Sequence, residues 1–162
     1  MNQSLQNNNA EKKLVLLKKR ALYYLGKREY SRKELHEKIT PFSESLELTR
    51  QQVNQILTEL ESKDWLSDRR FADQFVFSKK RKFGLNKMEY ELKMRGVNEI
   101  IIHNALNEIK SEEYNLAKNI WEKKFRKLPE NPEERLKQMR FLQSRGINSA
   151  LIHQILSGKL SE

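Results

Sequence analysis

The chain has 162 residues with no Cys, 3 Pro and 5 Gly, and its 32 Lys and Arg outnumber 22 Asp and Glu to give a formal net charge of +10. Without cysteine there are no disulfide frameworks, thiolate nucleophiles or thiolate-ligated zinc or iron–sulfur centres, and three scattered His residues leave little to hold a metal. Leu, Ile, Val and Phe make up about 27 % of the residues, enough for a thin core, while the run Leu14 to Leu17 ends at Lys18 and no run approaches the ~18 apolar residues of a membrane span, which predicts a cytoplasmic protein.

Apolar residues recur at three- and four-residue spacings, and no stretch alternates with a period of two, so the expected fold class is all-α. After a disordered polar opening, residues 1–9, a helix is expected from about Glu11 to Lys27. Ser31 with Glu34 is a capping-box signature for a second, shorter helix that gives way to a loop around Pro41. Thr49 with Gln52 opens a third helix to about Ser62, and Ser67 or Asp68 caps a fourth that reaches Lys82, where Gly84 breaks the chain. A fifth ends at Arg95, with Gly96 suited to the left-handed position and Asn98 capping a sixth; Val97 and Ile102 have hydrophobic-staple spacing. A seventh spans about Ser111 to Lys127, the loop from Leu128 to Asn131 leads to Pro132 at the first position of an eighth, Gly146 ends it, and Asn148 begins a ninth.

An internal repeat organises these helices. Shifted by 50 positions, the segment Leu92 to Leu106 lies on Leu142 to Leu156 with seven of fifteen residues identical, including Arg95-Gly96 on Arg145-Gly146 and His103 on His153. Upstream, Phe71, Ala72, Phe75 and Val76 match Leu116, Ala117, Ile120 and Trp121, and a fainter first copy places Ala21, Tyr24 and Leu25 on Ala72, Phe75 and Val76. The chain is therefore expected to be a tandem array of three three-helix repeats, residues 10–66, 67–110 and 111–160, elongated and open to curvature. Such an array offers a long surface, which suits a macromolecule better than a small substrate.

No phosphate-binding glycine loop, nucleophile elbow or His-Glu-x-x-His is present, so no enzyme and no cofactor are expected. His103 and His153 are given a structural place, as is Trp65, at the junction of the first two units, along with Tyr23, Tyr24 and Tyr30. The positive charge is uneven: residues 10–68 carry 12 basic and 10 acidic side chains, whereas residues 69–99 and 117–146 each carry 9 and 4. The runs Lys79-Lys80-Arg81-Lys82 and Lys123-Lys124-Phe125-Arg126-Lys127 end equivalent helices, where cations favour the macrodipole and, repeated in stacked units, can also form one continuous track for a polyanion. The related positions of Lys80 and Arg81 and of Arg126 and Lys127 are expected to act as one surface. Arg70, Phe77 and Arg81 share the helical face opposite Phe71 and Phe75, where Phe77 could meet a partner or a neighbouring repeat. Arg95 and Arg145, just before the turn glycines, could satisfy helix carbonyls or face a partner.

In Ala21-Leu-Tyr-Tyr-Leu25, Ser31-Arg-Lys-Glu34-Leu35, Leu66-Ser-Asp68-Arg-Arg70-Phe71-Ala72, Gly84 and Arg95-Gly96-Val97, the chain resembles the RecX regulatory proteins of bacteria, over about Ala21 to Leu156. The resemblance implies tandem three-helix units that bind along the groove of the RecA filament on single-stranded DNA and inhibit its recombinase and ATPase activities, in DNA repair, homologous recombination and the SOS response. It also implies a RecA partner; the basic charge adds single-stranded DNA as a further expected one, and a monomer is expected. The alternative is a general nucleic-acid-binding helical repeat without RecA. The first unit departs from the pattern in having Lys38-Ile39-Thr40-Pro41 in place of an Arg-Gly turn, and the third in Pro129 and Pro132. RecA contacts in the family are not confined to a short signature, so the binding residues named above rest on charge and helical phase.

Overall fold

The computed structural model describes residues 2–158, and within them the secondary structure is helical throughout. The helices are α1 (Asn2–Leu25), α2 (Arg32–Ser45), α3 (Arg50–Ser62), α4 (Asp68–Lys79), α5 (Leu85–Met94), α6 (Glu99–Asn107), α7 (Glu113–Lys124), α8 (Pro132–Ser144) and α9 (Ser149–Ser157), with a 3-10 turn at Lys110–Glu112. The caps expected from sequence are made by the side chains that suggested them. Ser31, Asn98 and Asn148 accept hydrogen bonds from the N–H groups of Glu34, Ile101 and Leu151, and Thr49 with Gln52 forms a reciprocal capping box.

By packing, the chain divides into two compact units. The first runs through Phe71 and takes in Arg95–Val97; the second holds Ala72–Met94 and the chain from Asn98 onward. In the first, Leu17 and Ala21 of α1, Leu35 and Ile39 of α2, and Val53, Leu57 and Leu60 of α3 form one core, closed by Leu66. In the second, Ala117, Ile120 and Trp121 of α7 pack with Leu142 of α8 and with Ile147, Ile152 and Leu156 around α9. Trp121 is buried with its polar atom satisfied: Nε1 donates to Gln138 Oε1 at 2.7 Å, and Gln138 Nε2 donates in turn to the Lys127 carbonyl.

Several sequence expectations are corrected. The first helix begins at Asn2 rather than at about Glu11, since adding turns to a nucleated helix is far less costly than starting one; Met1, and residues 159–160 at the end of the expected third repeat, lie outside the described residues. The loop expected around Pro41 is part of α2. Proline removes one N–H donor, but Leu35, Ile39 and Ser43 bury one face across it, and the Thr40 and Ser43 hydroxyls donate to the carbonyls of His36 and Thr40. The first copy of the Arg-Gly turn therefore lies further on, at Leu46-Glu47: Glu47 takes the left-handed conformation (φ 56°) of Gly96 (76°) and Gly146 (79°), each two residues before a cap. Trp65 is not core. It is 46 % exposed, between the ammonium groups of Lys18 and Lys63, because the left-handed Asp64 puts Leu66 into the buried place instead. Tyr23 likewise points outward while Tyr30 is buried.

Candidate functional site

The second unit brings its basic segments together through a backbone contact. Gly84, at the start of α5, donates its N–H to the Arg145 carbonyl at 2.7 Å, and Asn86 donates to the Gly146 carbonyl. A Cβ on Gly84 would come within 2.5 Å of the Gly146 carbonyl oxygen, and one on Gly146 within 2.4 Å of the Lys87 nitrogen. Both positions need glycine for close approach, and Gly146 also for its positive φ. To reach this contact the chain leaves α4 at Lys79, and Lys82 and Phe83 donate to the Lys79 carbonyl rather than extending the helix to Lys82 as expected.

Docking the two turns this way forms an open cleft of about 440 Å³ lined by Arg81, Lys82, Ile120, Lys123, Lys124, Phe141 and Arg145. Three helix ends contribute: the turn after α4, the last turn of α7 and the end of α8. Arg145 lies 5.1 Å over the Phe141 ring, which packs edge-on against Phe125 at 5.3 Å. Five cations and no carboxylate line the cleft, so an entering anion relieves their mutual repulsion. The Ile120 and Phe141 side chains give it an apolar wall that strengthens such charge interactions.

The remaining predicted residues are placed elsewhere. Arg70, in the first unit, is held by Glu29 at 2.9 Å and Asp64 at 2.8 Å; the hydrogen bond it donates to Glu29, chiefly, holds its guanidinium above the usual range. Arg95, also in that unit, faces Glu34 at 3.3 Å. Lys80 points to Glu112 at 3.9 Å, and Lys127 pairs with Glu130 at 3.1 Å, whose hydrogen bond raises its pKa. Arg126 is exposed on left-handed backbone, where α7 has already ended, and does not line the cleft. Of Lys80, Arg81, Arg126 and Lys127, expected to act as one surface, Arg81 lines the cleft and the other three do not. Lys79 closes α4, and Phe77 is 75 % exposed with Lys80 5.8 Å from its ring, so it does not pack on a repeat. His103 and His153 are exposed, and among the described residues no group of three or more His, Asp or Glu could hold a metal.

Sequence reasoning missed Ile120 and Phe141 as lining residues. Phe141 carries a local clue, its position four residues before Arg145 on the same helical face. Ile120 reads as core from periodicity and is indeed buried, its edge forming the cleft wall.

Residues 67–106 match the family described as RecX, second three-helix domain, and residues 111–156 that described as RecX, third three-helix domain. The chain is 39 % identical over 142 residues to the regulatory protein RecX of Chromobacterium violaceum, covering 88 % of this chain and 90 % of that one. With the regulatory protein RecX of Ralstonia pickettii it shares 37 % identity, covering 88 % and 87 %. A crystal structure of RecX from Lactobacillus salivarius has the same fold, with a TM-score of 0.73 at 19 % identity, covering 91 % of this chain and 96 % of that one. The all-α repeat fold, the two matched three-helix domains and the identity to curated relatives over most of the chain together place it in the RecX family of regulatory proteins.

Proposed function

We propose that this chain binds the RecA filament on single-stranded DNA and lowers its ATPase and strand-exchange activities, acting as a cytoplasmic monomer in DNA repair and recombination without a cofactor of its own. Beyond family membership, the observation that carries this reading is the acid-free basic cleft of the second unit. Five cations there have the sign to engage acidic protein surface or phosphate along a filament, and the field they set up favours fast encounter with a polyanion. Any ATP hydrolysed in its presence is RecA's. The three-repeat division of residues 10–66, 67–110 and 111–160 belongs to the same proposal.

The test is RecA ATPase and strand exchange on single-stranded DNA with sub-stoichiometric added protein, at low and at physiological salt. Inhibition at both supports the reading; unchanged rates at both overturn it. The cleft's chemistry equally favours a second reading, nucleic-acid binding without RecA. In that case binding falls by orders of magnitude between low and moderate salt and RecA adds nothing to it.

A further inference from the structure

The first unit carries a second positive surface, on which several cations and adjoining aromatic rings are drawn together. Along α1 and α2, Arg20 lies 4.5 Å over the Phe42 ring, Lys27 4.3 Å over Tyr23 and Lys38 5.4 Å over Tyr24. The rings adjoin one another: Tyr23 and Tyr24 meet edge-on at 5.6 Å, and Tyr24 lies 6.2 Å from the buried Tyr30. Tyr23 is 56 % exposed, and the neighbouring Lys19, Arg20 and Lys27 are exposed as well.

Two features separate this patch from an ordinary solvated face. Several other cations of the same unit are matched by carboxylates: Lys13 by Glu47, Lys18 and Lys63 by Glu59, Arg32 by Glu61 and Arg70 by Glu29. Lys19, Arg20, Lys27 and Lys38, by contrast, form no ion pair with a carboxylate among the described residues. The second feature is the large exposed ring itself. An acidic peptide would use the cations but gain little from a tyrosine face, and a duplex keeps its bases stacked on one another. A single strand offers both the phosphates and the free base faces.

We propose that Arg20, Tyr23, Lys27 and Lys38 form a binding surface for single-stranded nucleic acid, with a base stacking on Tyr23 and the three cations meeting successive phosphates. This goes beyond the RecA reading and does not depend on it, because the surface is built within the first unit and shares no residue with the basic cleft.

The experiment is fluorescence anisotropy of the full chain with a labelled oligothymidylate and with a duplex of equal length, over a salt series and without RecA. Tyr23→Ala should fold as the parent does and weaken oligothymidylate binding about tenfold, with the salt dependence unchanged, because stacking is not electrostatic. The triple change of Arg20, Lys27 and Lys38 to Gln should instead lower the slope of log affinity against log salt by about 2, the value for three phosphate contacts on a single strand. Circular dichroism of each variant confirms that it is folded. Equal affinity for single strand and duplex, or variants that bind as the parent does, overturns the proposal. RecA inhibition by Tyr23→Ala, measured in parallel, shows whether the RecA reading stands or falls separately.

Discussion

The Arg-Gly turn occurs twice with nearly the same backbone and opposite fates for its arginine. In the first unit, Ser31 at the start of α2 donates its hydroxyl to the Arg95 carbonyl at 2.7 Å, and Gly96 lies against Lys33. In the second, Gly84 at the start of α5 donates its N–H to the Arg145 carbonyl at the same 2.7 Å, and Gly146 lies against Lys87. The facing helix then decides the outcome. The first turn of α2 presents Glu34 to Arg95, whereas Arg145 has no carboxylate partner among the described residues and lies over Phe141 beside four other cations. One repeated motif serves as a structural ion pair in one place and as part of a charged cleft in the other.

The largest effect on this comparison should come from inverting the cleft's charge. Replacing Arg81, Lys82, Lys123 and Lys124 by Glu changes the net charge by eight and should abolish RecA inhibition at concentrations where the parent inhibits, while stability moves by only about 0.5 kcal/mol per exposed site. The same number of reversals at Lys12, Lys19, Arg50 and Arg69, exposed cations of the first unit outside its ion pairs, is the control. If the two quadruple variants lose activity equally, the cleft has no special part and net charge alone matters.

Next in size are the glycines. Gly146→Ala faces both a left-handed backbone and the Lys87 main chain at 2.4 Å, and should lose about 3 kcal/mol in urea unfolding. Gly96→Ala faces the same backbone conformation but only the Lys33 side chain, at 2.8 Å, and should lose about 1 kcal/mol. Equal losses would show that turn conformation, not helix-to-turn contact, accounts for the cost.

The two arginines should separate binding from stability. Arg95→Gln removes an ion pair with Glu34 and should cost about 0.5–1 kcal/mol with RecA inhibition unchanged. Arg145→Gln should leave stability within about 0.5 kcal/mol and weaken inhibition several-fold. The reverse pattern, read from urea midpoints and RecA ATPase titrations, would exchange their assigned roles.

The smallest effect is a pH dependence confined to the first unit. Hydrogen bonds from Lys18 and then Lys63 hold the Glu59 carboxyl at about 2, below its ordinary 4.5. Because the folded pKa is depressed, the contribution of this cluster is complete above about 4.5 and is lost as pH falls toward 2. The urea midpoint of the parent should exceed that of Glu59→Gln at pH 7 and converge with it below pH 3; a constant difference across that range would show that Glu59 acts through packing rather than charge.

Local chemistry was legible from the residues alone. The caps Ser31, Thr49, Asn98 and Asn148 bond to groups three positions ahead, apolar spacing of three and four marks the buried faces of all three helix sets, and identity between residues 92–106 and 142–156 announces the repeat. Each of these depends on neighbours within a turn or two of helix, which a sequence states directly. The errors have one cause in common. Pro41 continues a helix because Leu35 and Ile39 on its buried face pack against other helices, and Trp65 is exposed because one left-handed residue shifts the register of burial. The same holds for the site. Charge and repetition pointed to twelve residues, but Arg70 finds Glu29 from 41 positions away, while Lys82 and Arg145, far apart in sequence, come to share a cleft. Which cation is neutralised and which is presented is set by through-space Coulomb partners, and those are determined only when a helix end closes on a turn in another repeat.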